Sequence, residues 1–176
     1  MDARLQAMLD KQEISELIYA FARAADRHDH AAMAATYHED ATDDHGAFFK
    51  GLASEFIEQL PQIQASMRIL HHNVTTINIL LDGDYAEGEV YALAFHQVDT
   101  EDGLIDLLIG GRYLDKYERR DGVWKFAHRS VLADWAKVDS PSTVCLDHPL
   151  VEGSHIGRPG PEDPSYQMFR LFQWGK

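Results

Sequence analysis

An Asp-Gly pair at 121–122, set between two runs rich in aromatic and branched apolar residues, constrains this chain more than any other feature. Both central residues of a type I′ turn need φ > 0, which Asp-Gly tolerates, so the pair predicts a β-hairpin. A two-residue loop places Arg120 opposite Val123. Glu118 then faces Lys125, Tyr117 faces Phe126 and Arg119 faces Trp124. Opposite charges, two aromatics, and a cation on an indole are all favourable cross-strand pairs. The same register puts Arg129 and Arg112 on one face unless a β-bulge intervenes. In the first strand of the hairpin, Ile105, Leu107 and Ile109 line one face and Leu104, Leu108 and Leu114 the other. A strand apolar on both faces is expected to be covered on both.

The rest of the chain supplies partners for this hairpin. Residues 10–27 predict a helix, with Asp10 as N-cap, Glu13 completing a capping-box pattern, and Ile14, Leu17, Ile18, Phe21 and Ala25 as its core stripe. At 100° per residue, Tyr19 and Asp26 project together on the flank of that stripe. Residues 29–37 predict a short helix, and 39–51 a turn-rich entry to a short strand. Residues 52–66 predict a third helix, kinked or broken by Pro61 near Leu60. From Met67 the period changes. Residues 68–81, 85–98, 104–118 and 123–137 read as four long strands joined by short turns, an antiparallel meander. Helices followed by a sheet predict an α+β fold. Residues 138–176 hold five of the six prolines and read as an irregular tail, packed on the domain or on a neighbouring subunit.

A length of 176 residues suits one domain with an appendage. The net charge of −13 argues against nucleic acid and anionic membranes as partners, because phosphate neutralisation needs clustered Lys and Arg. Cys145 is the single cysteine, and residues 1–13 lack the apolar run of a signal peptide, so a cytoplasmic location is expected.

Several segments carry a resemblance: residues 19–29 (YAFARAADRHD), 37–46 (YHEDATDDHG), His72 ahead of residues 82–86 (DGDYA), and 110–129 (GGRYLDKYERRDGVWKFAHR). Over residues 9–137 the chain resembles the SnoaL-like family of the nuclear-transport-factor-2-like, or cystatin-like, superfamily. It is similar there to scytalone dehydratase, the hexachlorocyclohexane dehydrochlorinases and the bile-acid dehydratases. The resemblance implies a cone, a curved sheet wrapped around the N-terminal helices. It also implies a cofactor-independent lyase with an Asp-His pair, in which Asp26 orients His72 and His72 removes a proton from a small cyclic, polyketide-, steroid- or aromatic-like substrate. Arg129 matches an arginine of the dehydrochlorinase pocket. Phe21 stands where those enzymes have a lysine, and Thr76 where relatives have a pocket asparagine. The fold hosts many functions, and the competing expectation is a non-catalytic ligand-binding or assembly module, such as the small subunit of ring-hydroxylating dioxygenases.

The residues themselves are compatible with that chemistry. A neutral imidazole is a competent base near pH 7, and a carboxylate on its other nitrogen fixes the tautomer. Tyr19 either donates to a substrate oxygen or packs on the stripe's edge. The cluster Asp43, Asp44, His45 either points inward by strand alternation or forms a solvated turn; Asp44 and His45 are carried as candidate binding residues. Arg129 binds an anionic or carbonyl group or pairs with the acidic excess. The ten histidines lack metal-ligand spacing, with His71 and His72 on opposite faces of a strand, so no metal or cofactor is expected. An apolar sheet face and tail favour a homo-oligomer, dimer or trimer.

Overall fold

The computed structural model describes residues 2–175. Helix α1 (Ala3–Arg27) and the short α2 (His30–Ala35) precede strand β1 (Tyr37–Asp44), the three-residue β2 (Lys50–Leu52) and helix α3 (Ala53–Ile63). Four long strands follow: β3 (Met67–Asp82), β4 (Tyr85–Thr100), β5 (Gly103–Arg120) and β6 (Val123–Asp139). They form one curved mixed sheet in the order β2-β1-β6-β5-β4-β3. The meander β3 to β6 is antiparallel, and β1 joins β6 in parallel. The fold is the expected α+β cone, with the β5–β6 hairpin at the centre of the sheet.

The hairpin register is as the turn dictates. Asp121 and Gly122 take φ of 53° and 80°. Arg119 faces Trp124, Glu118 faces Lys125 and Tyr117 faces Phe126. Between Lys116 and Tyr117 the register shifts, and beyond it Asp115 faces Arg129. This overturns the expectation that Arg129 shares a face with Arg112. The bulge turns Arg129 inward onto Asp115, while Arg112 pairs with Glu89 and Asp134 nearer solvent.

Helix α1 starts seven residues earlier than the sequence pattern indicated. Its N-cap is Asp2, whose side chain accepts from Arg4 N–H. Asp10 is therefore not a cap. It lies buried mid-helix and accepts from Arg119 Nη1 and Trp124 Nε1, at 2.6 and 3.2 Å. Its apparent capping signal comes from a polar residue chosen to meet the hairpin. Pro61 does not break α3 at Leu60. The helix runs to Ile63 and tightens into a 3₁₀ turn at 64–66. Near the C-terminal end the lost N–H costs one bond only, and a 3₁₀ turn is a common ending there.

Ile14, Ile18 and Phe21 of α1 and Phe56, Ile57 and Leu60 of α3 pack onto Val90, Tyr117 and Phe126 of the sheet. Each fully buried large side chain contributes roughly 1.5–3 kcal/mol, enough for these few contacts to hold α1 along the sheet. That placement brings the end of α1 to β3. Beyond β6, Arg27 meets Asp163 at 3.3 Å and Arg23 lies between the rings of Tyr166 and Phe172. These contacts tie the last segment back to α1. Among the described residues, no helix is long and apolar enough to cross a membrane.

Candidate active site

Asp26 occupies the last turn of α1, facing the start of β3. Its two carboxylate oxygens accept the backbone N–H of His72, at 3.0 and 3.1 Å. Oδ1 also lies 2.7 Å from Nδ1 of the His72 ring. One carboxylate thus fixes both the strand and the imidazole it carries. With Nδ1 as donor to Asp26, the neutral ring presents Nε2 as its acceptor. Both side chains keep 12% of their surface exposed, enough for a ligand to reach them but little for bulk water.

His72 opens onto a cavity of about 230 Å³ between the sheet and the helices, walled by Phe21, Met33, Phe56, Leu60, Ile63 and Leu70 among others. An apolar cavity with a few convergent polar groups is the usual form of a small-molecule site. A second, more open recess lies on the outer side of the pair, between Tyr19, Arg23, Asp26 and His72.

Of the residues singled out by sequence, Asp26 and His72 meet, and His45 and Arg129 line the same cavity as His72. Tyr19 lies half-exposed in the outer recess rather than in the cavity. Asp44 lies outside as well, in an ion pair with Lys50 at 2.8 Å and accepting from Gly46 N–H. Arg129 is more confined than a free binding group. Nε and Nη2 donate to the two oxygens of Asp115, both at 2.8 Å, and its guanidinium lies 4.2 Å from the ring centres of Phe21, Tyr113 and Phe126. Burial works against the charge, but the Asp115 carboxylate outweighs it and holds the guanidinium protonated far beyond its ordinary range. Only Nη1 is buried without a partner. Phe21 forms one wall of this cage.

One residue of the cavity lining escaped the sequence. His96 on β4 lines the cavity, its ring centre 6.1 Å from that of His72 and edge-on to it. Burial, and then the neighbouring His72, lowers its pKa below the usual 6.5, so it is neutral at pH 7. The Asp82–Tyr85 turn taken as a regular hairpin pairs His72 with Phe95 and hides this contact. A register shift between Val74 and Ile77 instead pairs His72 with Ala94 and brings His96 to the same face. Asp43, named in the cluster that sequence left as inward or solvated, is fully buried; it accepts the Tyr37 hydroxyl at 2.7 Å and lies 3.0 Å from His45 Nε2. Burial first, and Asp43 second, push the Tyr37 hydroxyl well above its ordinary pKa. Strand alternation through Ala41, Asp43 and His45 is the signal that points to it. Among the described residues, no group of three or more His, Cys, Asp or Glu side chains is placed to hold a metal ion.

A helix-backed cone with a part-buried Asp-His pair at the cavity wall defines the class, and comparison supplies the family. The model of the SnoaL-like domain matches residues 6–130, and the chain belongs to that family. Comparison with functionally curated proteins gives no match. Among solved structures, a hexachlorocyclohexane dehydrochlorinase from Novosphingobium barchaimii is 19% identical, with a TM-score of 0.72 over 81% of this chain and 99% of that one. A candidate scytalone dehydratase from Novosphingobium aromaticivorans is 21% identical, with a TM-score of 0.67 over 74% of this chain and 88% of that one. A cystatin-like protein of unknown function from Nostoc punctiforme is 21% identical, with a TM-score of 0.59 over 72% and 92%. At these identities the likeness establishes the fold.

Proposed function

We propose that this chain is a cofactor-independent lyase that eliminates water, or a similar leaving group, from a small cyclic or aromatic-like molecule, with His72 as general base and Asp26 as its positioning residue. The observation that carries this reading is the 2.7 Å contact from Asp26 to His72 Nδ1 at the wall of an apolar cavity. In such a site His72 Nε2 takes a proton from the carbon next to a carbonyl, and the imidazolium that forms is balanced by Asp26. A low-polarity wall strengthens that electrostatic balance. The names of the dehydrochlorinase and the candidate dehydratase are consistent with elimination chemistry. Phe21 and Arg129 bear on the leaving group. With an apolar ring in the lysine's position and Arg129 largely engaged by Asp115, lysine-assisted halide departure has no counterpart here. Isomerisation by the same proton transfer is open to the same groups. The partner is a small molecule, and the chain is expected to act as a dimer or trimer.

The test is a panel of fused-ring β-hydroxy ketones, starting with 3-hydroxy-1-tetralone and 3-hydroxyindan-1-one, with formation of the conjugated product followed by absorbance. Wild type should turn over at least one, and His72→Ala should lose about 10²–10⁴-fold in kcat/KM. Binding of the panel without turnover would favour a ligand-binding module instead, and equal turnover by His72→Ala would remove the base from His72.

A further inference from the structure

A second imidazole of the cavity wall, His45, is backed by a buried carboxylate, Asp43, and proton removal by His72 uses neither. His45 follows the end of β1, and His72 lies on β3. Strands β6, β5 and β4 separate β1 from β3 in the sheet, yet both imidazoles line one cavity. The curved sheet thus brings both to one cavity from well-separated strands. His45 is held in place on three sides. Its backbone N–H donates to Phe49 O at 2.7 Å, closing the turn that carries it. Its ring packs on Phe56 with centres 4.3 Å apart. Its Nε2 lies 3.0 Å from Oδ1 of Asp43, a carboxylate with no exposed side-chain surface. The two atoms are close but not aligned for a full hydrogen bond, and neither has another partner among the described residues. With Nε2 turned to Asp43, Nδ1 is the ring nitrogen left to meet a ligand. A buried carboxylate needs a compensating positive or donating partner, and Tyr37 supplies only a neutral hydroxyl to the other oxygen.

We propose that His45 is the general acid of the elimination, positioned by Asp43, and that it protonates the departing oxygen within the cavity it shares with His72. This rests on the lyase reading. His72 Nε2 takes the proton from the α-carbon, and the C–H electron pair becomes the new carbon–carbon double bond. The bond from the β-carbon to oxygen breaks with its pair on oxygen, which takes the proton from His45 Nδ1. The products are the unsaturated ketone and water. His72 ends with one proton more and His45 with one fewer, and exchange with solvent restores both. A hydroxyl is a poor leaving group and needs this proton; a carboxylate ester group leaves without it. The substrate class is therefore a β-hydroxy carbonyl compound rather than a halide.

Two probes separate the roles: 3-hydroxy-1-tetralone and 3-acetoxy-1-tetralone. For His45→Gln and Asp43→Asn, the ratio of hydroxy to acetoxy turnover should fall about 100-fold or more relative to wild type. His72→Ala should lose both substrates together. Equal loss on the two probes in His45→Gln would overturn the acid role, because misplacement or misfolding strikes both alike; so would an unchanged ratio. Asp43→Asn alone is open to misfolding, and His45, at the edge of the site, supplies the variant that keeps the test sharp. If His72→Ala matches wild type on both probes, or wild type converts neither, the lyase reading itself falls. If only the His45 ratio fails to move, that reading stands and this inference does not.

Discussion

Arg129 and Asp115 are the most consequential charges in the interior, since 1% and 0% of their side-chain surfaces are exposed. Removing one partner leaves the other uncompensated. Asp115→Ala should cost about 3–5 kcal/mol in denaturant unfolding, while the paired change Arg129→Met with Asp115→Leu should recover much of that loss. A second residue-level expectation concerns His96. Its folded pKa lies below the usual 6.5 because it is buried and faces His72, so on this site the folded chain binds fewer protons than the unfolded chain between those two values. Stability from a neutral His96 is complete above 6.5, begins to be lost below it, and is gone once the pH has fallen through the lowered value. His96→Gln should flatten the stability curve over that acid window, as seen by urea midpoints from pH 7.5 downward; a curve as steep as wild type would assign the acid sensitivity to other groups, His28 among them. At this scale Asp26 and His72, 46 residues apart, were paired through the family resemblance and not through residue type, and the structure brings them within 2.7 Å. The sequence was opaque for Asp115 and His96, whose partners Arg129 and His72 lie on other strands.

The elements were legible in proportion to how local their signals are. The Asp121-Gly122 turn and the flanking aromatics set the hairpin register as far as Tyr117, because a two-residue loop leaves no freedom. Past that point bulges decide, and they leave little trace in composition. Another register shift falls between Gly110 and Gly111. There a Cβ on Gly111 would collide with the backbone carbonyl of Leu132, so the glycine permits a close approach of strands. Gly111→Ala should cost about 1–3 kcal/mol and disturb the cavity wall that Gly111 helps form. Thermal unfolding with a backbone amide spectrum checks both. Stability and spectra like wild type would mean that the strands have slack at this point. Helix α1 shows the opposite failing. Asp10 looks like a cap in sequence because cap and buried acceptor are the same residue type, and only the distant Arg119 and Trp124 distinguish them.

For the molecule as a whole, the order of helices and strands led to the right fold because each strand of the β3–β6 meander neighbours the next in sequence. What the order does not carry is β1 crossing to pair in parallel with β6, which places His45 over the cavity. The outer face of the sheet leaves Tyr91, Leu93, Leu114 and Trp135 exposed, an apolar set of the kind that marks a contact between proteins. Sedimentation should give a dimer or trimer, and Leu114→Glu should shift it toward monomer; a monomeric wild type would remove the oligomer from the picture. The cavity and its Asp-His pair remain the centre of the functional reading, and proton removal by His72 is its most direct consequence. That step is visible on its own, before any leaving group departs, as exchange of α-hydrogen for deuterium. With 1-tetralone, which has no leaving group, in D₂O, NMR should show α-exchange catalysed by wild type and reduced about 100-fold or more in His72→Ala and Asp26→Asn. Exchange at the wild-type rate in His72→Ala would contradict the assignment.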